Sequence, residues 1–141
     1  MARSHGREGV VVLDDSAGVA RTISADVDNV DAPSNVDTAE VSGFGDARKS
    51  YIIGQIDTPI AISGKFETGS NLSHAVLASL IGGTAGYTFT FQPKGTASGL
   101  PKLTGEVLLG NYQINAPLGG AVTWSAQLVP FNSTGLVWST N

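Results

Sequence analysis

The segment YTFTFQ, residues 87–92, alternates without a break: Tyr87, Phe89 and Phe91 on one side, Thr88, Thr90 and Gln92 on the other. Successive side chains of an extended chain point to opposite faces, so this pattern separates a dry face from a wet one only as a β-strand. The same period recurs along most of the chain. In AVTWSAQLVP (121–130), Val122, Trp124, Ala126 and Leu128 point one way. In the second half of YIIGQIDTPIAISGKFE (51–67), Ile60, Ile62 and Phe66 oppose Pro59, Ala61, Ser63, Lys65 and Glu67. Pro59 lacks a ladder donor and marks a strand start or an edge. In VARTISADVDNV (19–30), Ile23, Ala25 and Val27 oppose Ser24, Asp26 and Asp28, which predicts one half-buried strand. It follows GVVVLD (9–14) across the short turn DDSAG (14–18), a hairpin arrangement. LTGEVLLGNYQINAP (103–117) reads as a long strand, bent or bulged at Gly105 or Gly110. GLVWST (135–140) closes the sheet or reaches out as a tail.

One segment breaks the period. In SNLSHAVLASLIGG (70–83), Leu72, Val76 and Leu80 with Leu77 and Ile81 form a stripe at helical spacing, which predicts a helix over about 72–82. Ser70, Asn71 or Ser73 can cap its start, and Gly82-Gly83 suits its end. Too short to stand alone, the helix must dock on a sheet. Residues 31–50, DAPSNVDTAEVSGFGDARKS, read as one long connection containing Pro33, Gly43 and Gly45. Ordered loops longer than about 12–15 residues tend to be functional. The expected fold class is therefore mainly β: a sandwich or barrel-like domain of about seven strands with one short flanking helix. Residues 9–130 form the domain, 1–8 an N-terminal arm and 131–141 a C-terminal strand or arm.

At 141 residues the chain has the size of one domain and enough length to bury a core. Without cysteine it holds no disulfide, thiolate nucleophile or zinc–sulfur site. No apolar run approaches the roughly 18 residues of a membrane helix, and MARSHGREG has no apolar stretch after its charges, so no secretory signal is expected. Only 14% of residues are charged, against about 25% in an ordinary soluble domain. Such a surface suits a chain covered by other protein. The net charge of −4 opposes tight binding of nucleic acid, whose phosphates need Lys or Arg.

Chemistry fails its tests one by one. DVDNVDAPSNVD (26–37) carries Asp26, Asp28, Asp31 and Asp37, but Val30 and Ala32 stand where a calcium loop needs its third ligand and its glycine. Asp26 and Asp28 share a strand face with no enclosing apolar pocket to raise one pKa, so paired-carboxylate catalysis has no support. His5 and His74 have no partner at metal-ligand or triad spacing. No G-x-S-x-G occurs, and GFGDAR (43–48) is a lone G-x-G better read as a tight turn. Tyr87, Phe89, Phe91 and Trp124 lack interleaved cations, which favours core packing over base stacking. The chain is read as no enzyme, with no catalytic residue, cofactor or metal.

Four segments, in order over roughly residues 9–138, resemble the major tail tube proteins of long-tailed, siphovirus-type bacteriophages: VVVLDDSAGVARTISADVDNVD, FGDARKSYIIGQIDTPIAISGKFE, SHAVLASLIGG and LTGEVLLGNYQINAPLGGAVTWSAQLVPFNSTGLVW. The FGD element, the helix ahead of the second group of strands and the glycine-rich approach to the final strands carry most of the likeness. The resemblance implies a β-sandwich whose strands complete an inter-subunit β-barrel in a hexameric ring, with rings stacking into a tube. It implies as partners further copies of the chain, a tape measure protein, a tail terminator, and genomic DNA that passes through the lumen without specific binding. Synthesis would take place in the cytoplasm of a bacterial host, and the protein would reside in the virion tail with no membrane insertion. The long loop and the terminal arms would grip the next ring, which makes Asp31, Asp37, Glu40, Val41, Phe44, Arg48, Lys49 and Tyr51 candidate contacts between subunits or rings. Asp26 and Asp28 are candidate lumen or interface acids. Other readings are a head–tail connector, terminator or decoration protein on a related fold, and a carbohydrate-binding sandwich with Trp124 or Trp138 as its platform.

Overall fold

The computed structural model describes residues 6–70, 72–132 and 135–141; most of the expected N-terminal arm and the candidate cap Asn71 lie outside them. Ten strands and one α-helix follow in the order β1 (Val10–Asp14), β2 (Ala20–Thr22), β3 (Val27–Asp31), β4 (Asn35–Glu40), β5 (Tyr51–Asp57), β6 (Ile60–Lys65), α1 (Ser73–Ser79), β7 (Tyr87–Gln92), β8 (Pro101–Asn115), β9 (Thr123–Pro130) and β10 (Val137–Thr140). All but β4 and β5 belong to one antiparallel sheet in the order β2-β1-β7-β8-β9-β6-β3, with β10 also on β8. The protein is mainly β with one flanking helix, as the alternation predicts.

The 15-residue strand β8 joins two halves of the sheet. Its first half pairs with β7, from Leu103↔Phe91 to Val107↔Tyr87, and with β10. Its second half pairs with β9, from Val107↔Pro130 to Asn115↔Thr123. The register shifts between Leu109 and Asn111, so the bulge falls at Gly110. Gly105 has a different task. A Cβ there would collide with the carbonyl of Gly135 where the chain crosses from β9 to β10.

Both halves contribute their dry faces to one core: Val11, Leu13, Phe89, Leu103 and Val107 from one, Ile60, Ile62, Trp124, Ala126 and Leu128 from the other, closed by Val76, Leu77 and Leu80 of α1. The Trp124 indole N–H donates to the Lys65 carbonyl at 2.9 Å, which satisfies the only polar atom of that buried ring. The Tyr112 hydroxyl lies 2.8 Å from His74 Nδ1, with the His74 ring 4.9 Å from that of Phe66. Burial pushes the Tyr112 phenol pKa up, which keeps the hydroxyl protonated within this pair.

The segment expected as one strand over 19–30 is broken. Between β2 and β3, Ser24–Asp26 form a 3-10 turn. The turn carries Asp26 inward, to 7% exposure, where its Oδ2 accepts the Ser73 backbone N–H at 3.1 Å. Among the described residues no local side chain caps the helix, whose N-cap is Leu72. A carboxylate 47 positions away takes one of its orphan donors and complements the positive end of its dipole. Gly64 makes this possible, because any Cβ there would meet the Asp26 carbonyl. Asp26 and Asp28 therefore do not share a strand face: Asp26 is internal and Asp28 exposed on β3. The helix is also shorter than expected, and Ile81 lies outside its buried stripe.

The expected long connection over 31–50 contains β4, which pairs with β5 from Asn35↔Asp57 to Glu40↔Tyr51. In the β1–β2 turn, Asp15 Oδ1 accepts the N–H groups of Ala17 and Val19 at 2.9 and 3.1 Å, and Oδ2 accepts Arg21 Nε at 3.0 Å.

Asp26→Ala removes a buried acceptor and is expected to cost about 1–3 kcal/mol in urea unfolding of the subunit, with Asp26→Asn less harmful because its amide oxygen can still accept. The Val19 N–H, and after it Arg21, hold the Asp15 carboxyl below its ordinary 3.8. A depressed folded pKa contributes stability above the unfolded value and loses it as pH falls through the folded one. Asp15→Asn should therefore flatten the acid side of the stability profile below about pH 4, and a carboxyl chemical-shift titration of Asp15 should give a midpoint under 3.8.

Candidate assembly interface

Among the described residues the strands β4 and β5 pair only with each other, and every residue of both is exposed. They prolong the β3–β6 ribbon, since β4 follows β3 after 32–34 and β6 follows β5 after 58–59. The hairpin thus extends from the end of that ribbon where β3 stops and β6 starts, with arms of roughly 20 Å. Its turn is ordered by local bonds: Val41 N–H to the Ser50 carbonyl at 2.9 Å, Ser50 N–H to Ser42 Oγ at 2.7 Å, and Gly43 N–H to Asp46 Oδ2 at 2.6 Å. Gly45 supplies the positive φ of 90° that the turn needs, so the GFG motif is a tight turn.

Most of the predicted contact residues come together on this projection. Asp37 and Glu40 lie on β4, Val41, Phe44, Arg48 and Lys49 in the turn, and Tyr51 at the start of β5; Asp31 sits where β3 ends, below the hairpin. The periodicity missed its apolar content. Val36, Ile52, Ile53 (72% exposed) and Ile56 (68%) face water beside the fully exposed Phe44. An isolated two-stranded ribbon is marginal in water, and this many exposed apolar side chains on both of its faces suit a contact with other protein.

A second surface lies on the outer face of β8-β9-β6-β3. Opposite the core, register sets side chains in rows across four strands: Asn29, Ser63, Ser125 and Gln113 in one, and Asp31, Ala61, Gln127 and Asn111 in the next. A third row holds Lys65, Thr123 and Asn115. Amides and hydroxyls predominate, and a groove of about 550 Å³ is lined by Ser63, Gln113, Asn115, Thr123 and Ser125 together with Asp28. Charge sits at the margins: Asp31 at one end, and Asp28 paired with Lys65 at 3.3 Å toward the other. Asp26, committed to Ser73, contributes nothing to this face.

This half-sheet has two open edges. Among the described residues β3 pairs only with β6, and residues 108–115 of β8 pair only with β9. Each edge presents a row of unsatisfied backbone donors and acceptors.

Neither tryptophan forms an open platform beside the polar face: Trp124 is buried, and Trp138, 46% exposed, lies on β10. No group of three His, Cys, Asp or Glu that could hold a metal occurs among the described residues. No helix among them is long and apolar enough to cross a membrane.

No protein-family model matches the chain, and no curated protein matches it by sequence. Solved structures do match over its whole length. The tail of an empty GTA particle, with C6 symmetry, aligns at a TM-score of 0.73 with 12% identity, covering 99% of each chain. The SPP1 tail tube aligns at 0.78 with 10% identity, covering 99% of this chain and 80% of its own. The tube-terminating cap of the anti-feeding prophage aligns at 0.71 with 14% identity, covering 100% of this chain and 93% of its own. The chain therefore has the fold found in phage-like tail tubes and in a tube cap.

Proposed function

We propose that the protein is a structural subunit of a phage tail tube: copies close into hexameric rings, rings stack, and the lumen conducts DNA from capsid to host. The observation that carries this reading is the four-stranded half-sheet with both edges open and only one face covered by its own core. Joining β3 of one copy to residues 108–115 of the next satisfies both edges and repeats without limit until the ring closes. With the C6 symmetry of the GTA tail, the ring is a barrel of about 24 strands, roughly 50 Å between opposite backbones at ordinary strand spacing and tilt. Such a barrel leaves room for a nucleic-acid duplex.

The bodies of the subunits must lie outside that barrel, because α1 and the β1–β7 layer cover the core face. The amide and hydroxyl rows then line the lumen. The cation in these rows, Lys65, is paired with Asp28 at 3.3 Å, and the remaining groups are neutral or acidic, so the wall gives passing phosphates little to bind. Of the acids considered, Asp28 and Asp31 border this path, while Asp31, Asp37 and Glu40 with Val41, Phe44, Arg48, Lys49 and Tyr51 belong to contacts between subunits or rings. The reading places the protein in the virion tail, made in the bacterial cytoplasm, with a tape measure protein and a terminator as partners and no enzymatic role.

The likeness to a tube cap favours one other reading, a terminator ring that does not stack. Electron microscopy of the purified protein separates the two. Tubes of stacked rings are expected; single rings would favour the terminator, and monomers under all assembly conditions would sink both. Deleting 33–47 should leave a folded domain by circular dichroism that no longer forms tubes, since β4 and β5 pair with nothing in the body. Ser125→Lys with Gln127→Lys should leave tubes intact and slow DNA ejection; unchanged ejection kinetics would remove the polar face from the lumen.

A further inference from the structure

In the three rows of the polar face, all of them described residues, Lys65 is the one cation. Its row sets Thr123 of β9 and Asn115 of β8 across from it. An ammonium in line with a hydroxyl and an amide is donor chemistry that suits a phosphate. On a wall that a duplex slides along, such a grouping would hold it back.

Asp28 meets this cation. Its Oδ2 lies 3.3 Å from Lys65 Nζ, and both side chains are about half exposed or more, at 52% and 63%. A bulge brings Asp28 there. Val27 pairs with Gly64 and Asn29 with Ser63, so Asp28 is the extra residue between two consecutive pairs. Gly64 permits the close approach, because a Cβ there would meet the Asp26 carbonyl and the Val27 Cα. The same missing side chain thus lets Asp26 turn inward to Ser73 and leaves Asp28 on the groove beside Lys65. An exposed ion pair adds little to fold stability. What this one changes is the charge that the groove presents.

Resting on the tube reading, we propose that Asp28 is the residue that keeps the lumen from binding DNA: it occupies the Lys65 ammonium and closes a phosphate site formed by Lys65, Thr123 and Asn115. With the C6 symmetry of the GTA tail, each ring holds six such pairs. A duplex meets every ring of the stack, so one weak phosphate contact per copy would multiply along the tube. Masking within each copy removes that sum at its source. Asp31 does not share the task, since it pairs with Ala61, four positions along β6 from Lys65 and roughly 13 Å away.

Tubes assembled from the full chain are mixed with a short linear DNA duplex and sedimented over a series of salt concentrations. Unmodified tubes should carry down little duplex. Asp28→Asn tubes are expected to bind it roughly tenfold tighter or more at low salt, with an affinity that falls steeply as salt rises. Asp28→Glu should behave as the unmodified chain, and adding Lys65→Gln to Asp28→Asn should abolish the gain. A closed circular duplex, which has no end to thread, should show no gain. Binding by Asp28→Asn tubes no tighter than by unmodified tubes would overturn the proposal, as would a gain that survives Lys65→Gln or appears equally with circles. Loss of tubes, or a lowered thermal midpoint of the subunit, in Asp28→Asn would make the pair a structural one and also overturn it. Absence of tubes from the unmodified chain would overturn the tube reading itself.

Discussion

A β-sheet edge must find partners for its backbone groups, and this subunit leaves two edges of one half-sheet without them. Natural sheets blunt such edges with charge, proline, bulges or a covering element. Here β3 and residues 108–115 of β8 end the half-sheet on opposite sides, with no strand beyond either among the described residues. A single copy can satisfy these groups only with water. A closed ring of copies satisfies them with each other and has no edge left.

The two faces of the half-sheet follow from the same demand. One face must be dry to hold the subunit together, and Ile60, Ile62, Trp124, Ala126 and Leu128 make it so. Helix α1 lies over this core and is held at its first turn by two polar contacts, Asp26 to the Ser73 N–H and His74 to Tyr112. With the core on that side, the other face is free to carry Asn29, Ser63, Ser125 and Gln113, groups that hydrogen-bond water and present no charge. Under the tube proposal the low charge of the whole chain has a physical reading: a surface largely covered by further copies needs little charge of its own.

Much of the fold was legible because burial on one face leaves a period-two trace. It located β7, β9 and the strand character around β6, while β1 showed as a β-branched run; β8 was legible as a long strand bulged at Gly105 or Gly110, and register settles on Gly110. It failed where that trace is absent. Both faces of β4 and β5 meet water in the single subunit, so Asn35–Glu40 carry no alternation, and Ile52 and Ile53 stand side by side on opposite faces. The strand over 19–30 was misread for another reason: Ser24–Asp26 leave the extended path, and the signals that make this possible are the missing side chain of Gly64 and the distant Ser73 N–H. Neither is local, so periodicity could not report them. The candidate contacts in 31–51 came from the resemblance; the apolar shaft beside them and the amide rows became visible only once register placed the strands.

The central claim is that β3 and the second half of β8 join across copies, and backbone amide hydrogen exchange in free and assembled protein tests it directly. Within the single subunit, the amides of 27–31 and 108–115 that point away from β6 and β9 exchange freely. On assembly these outward amides should become protected on both strands together, in an alternating pattern that matches an antiparallel or parallel ladder. Assembly that protects only the hairpin and leaves both edges exchanging as in the free subunit would contradict the account.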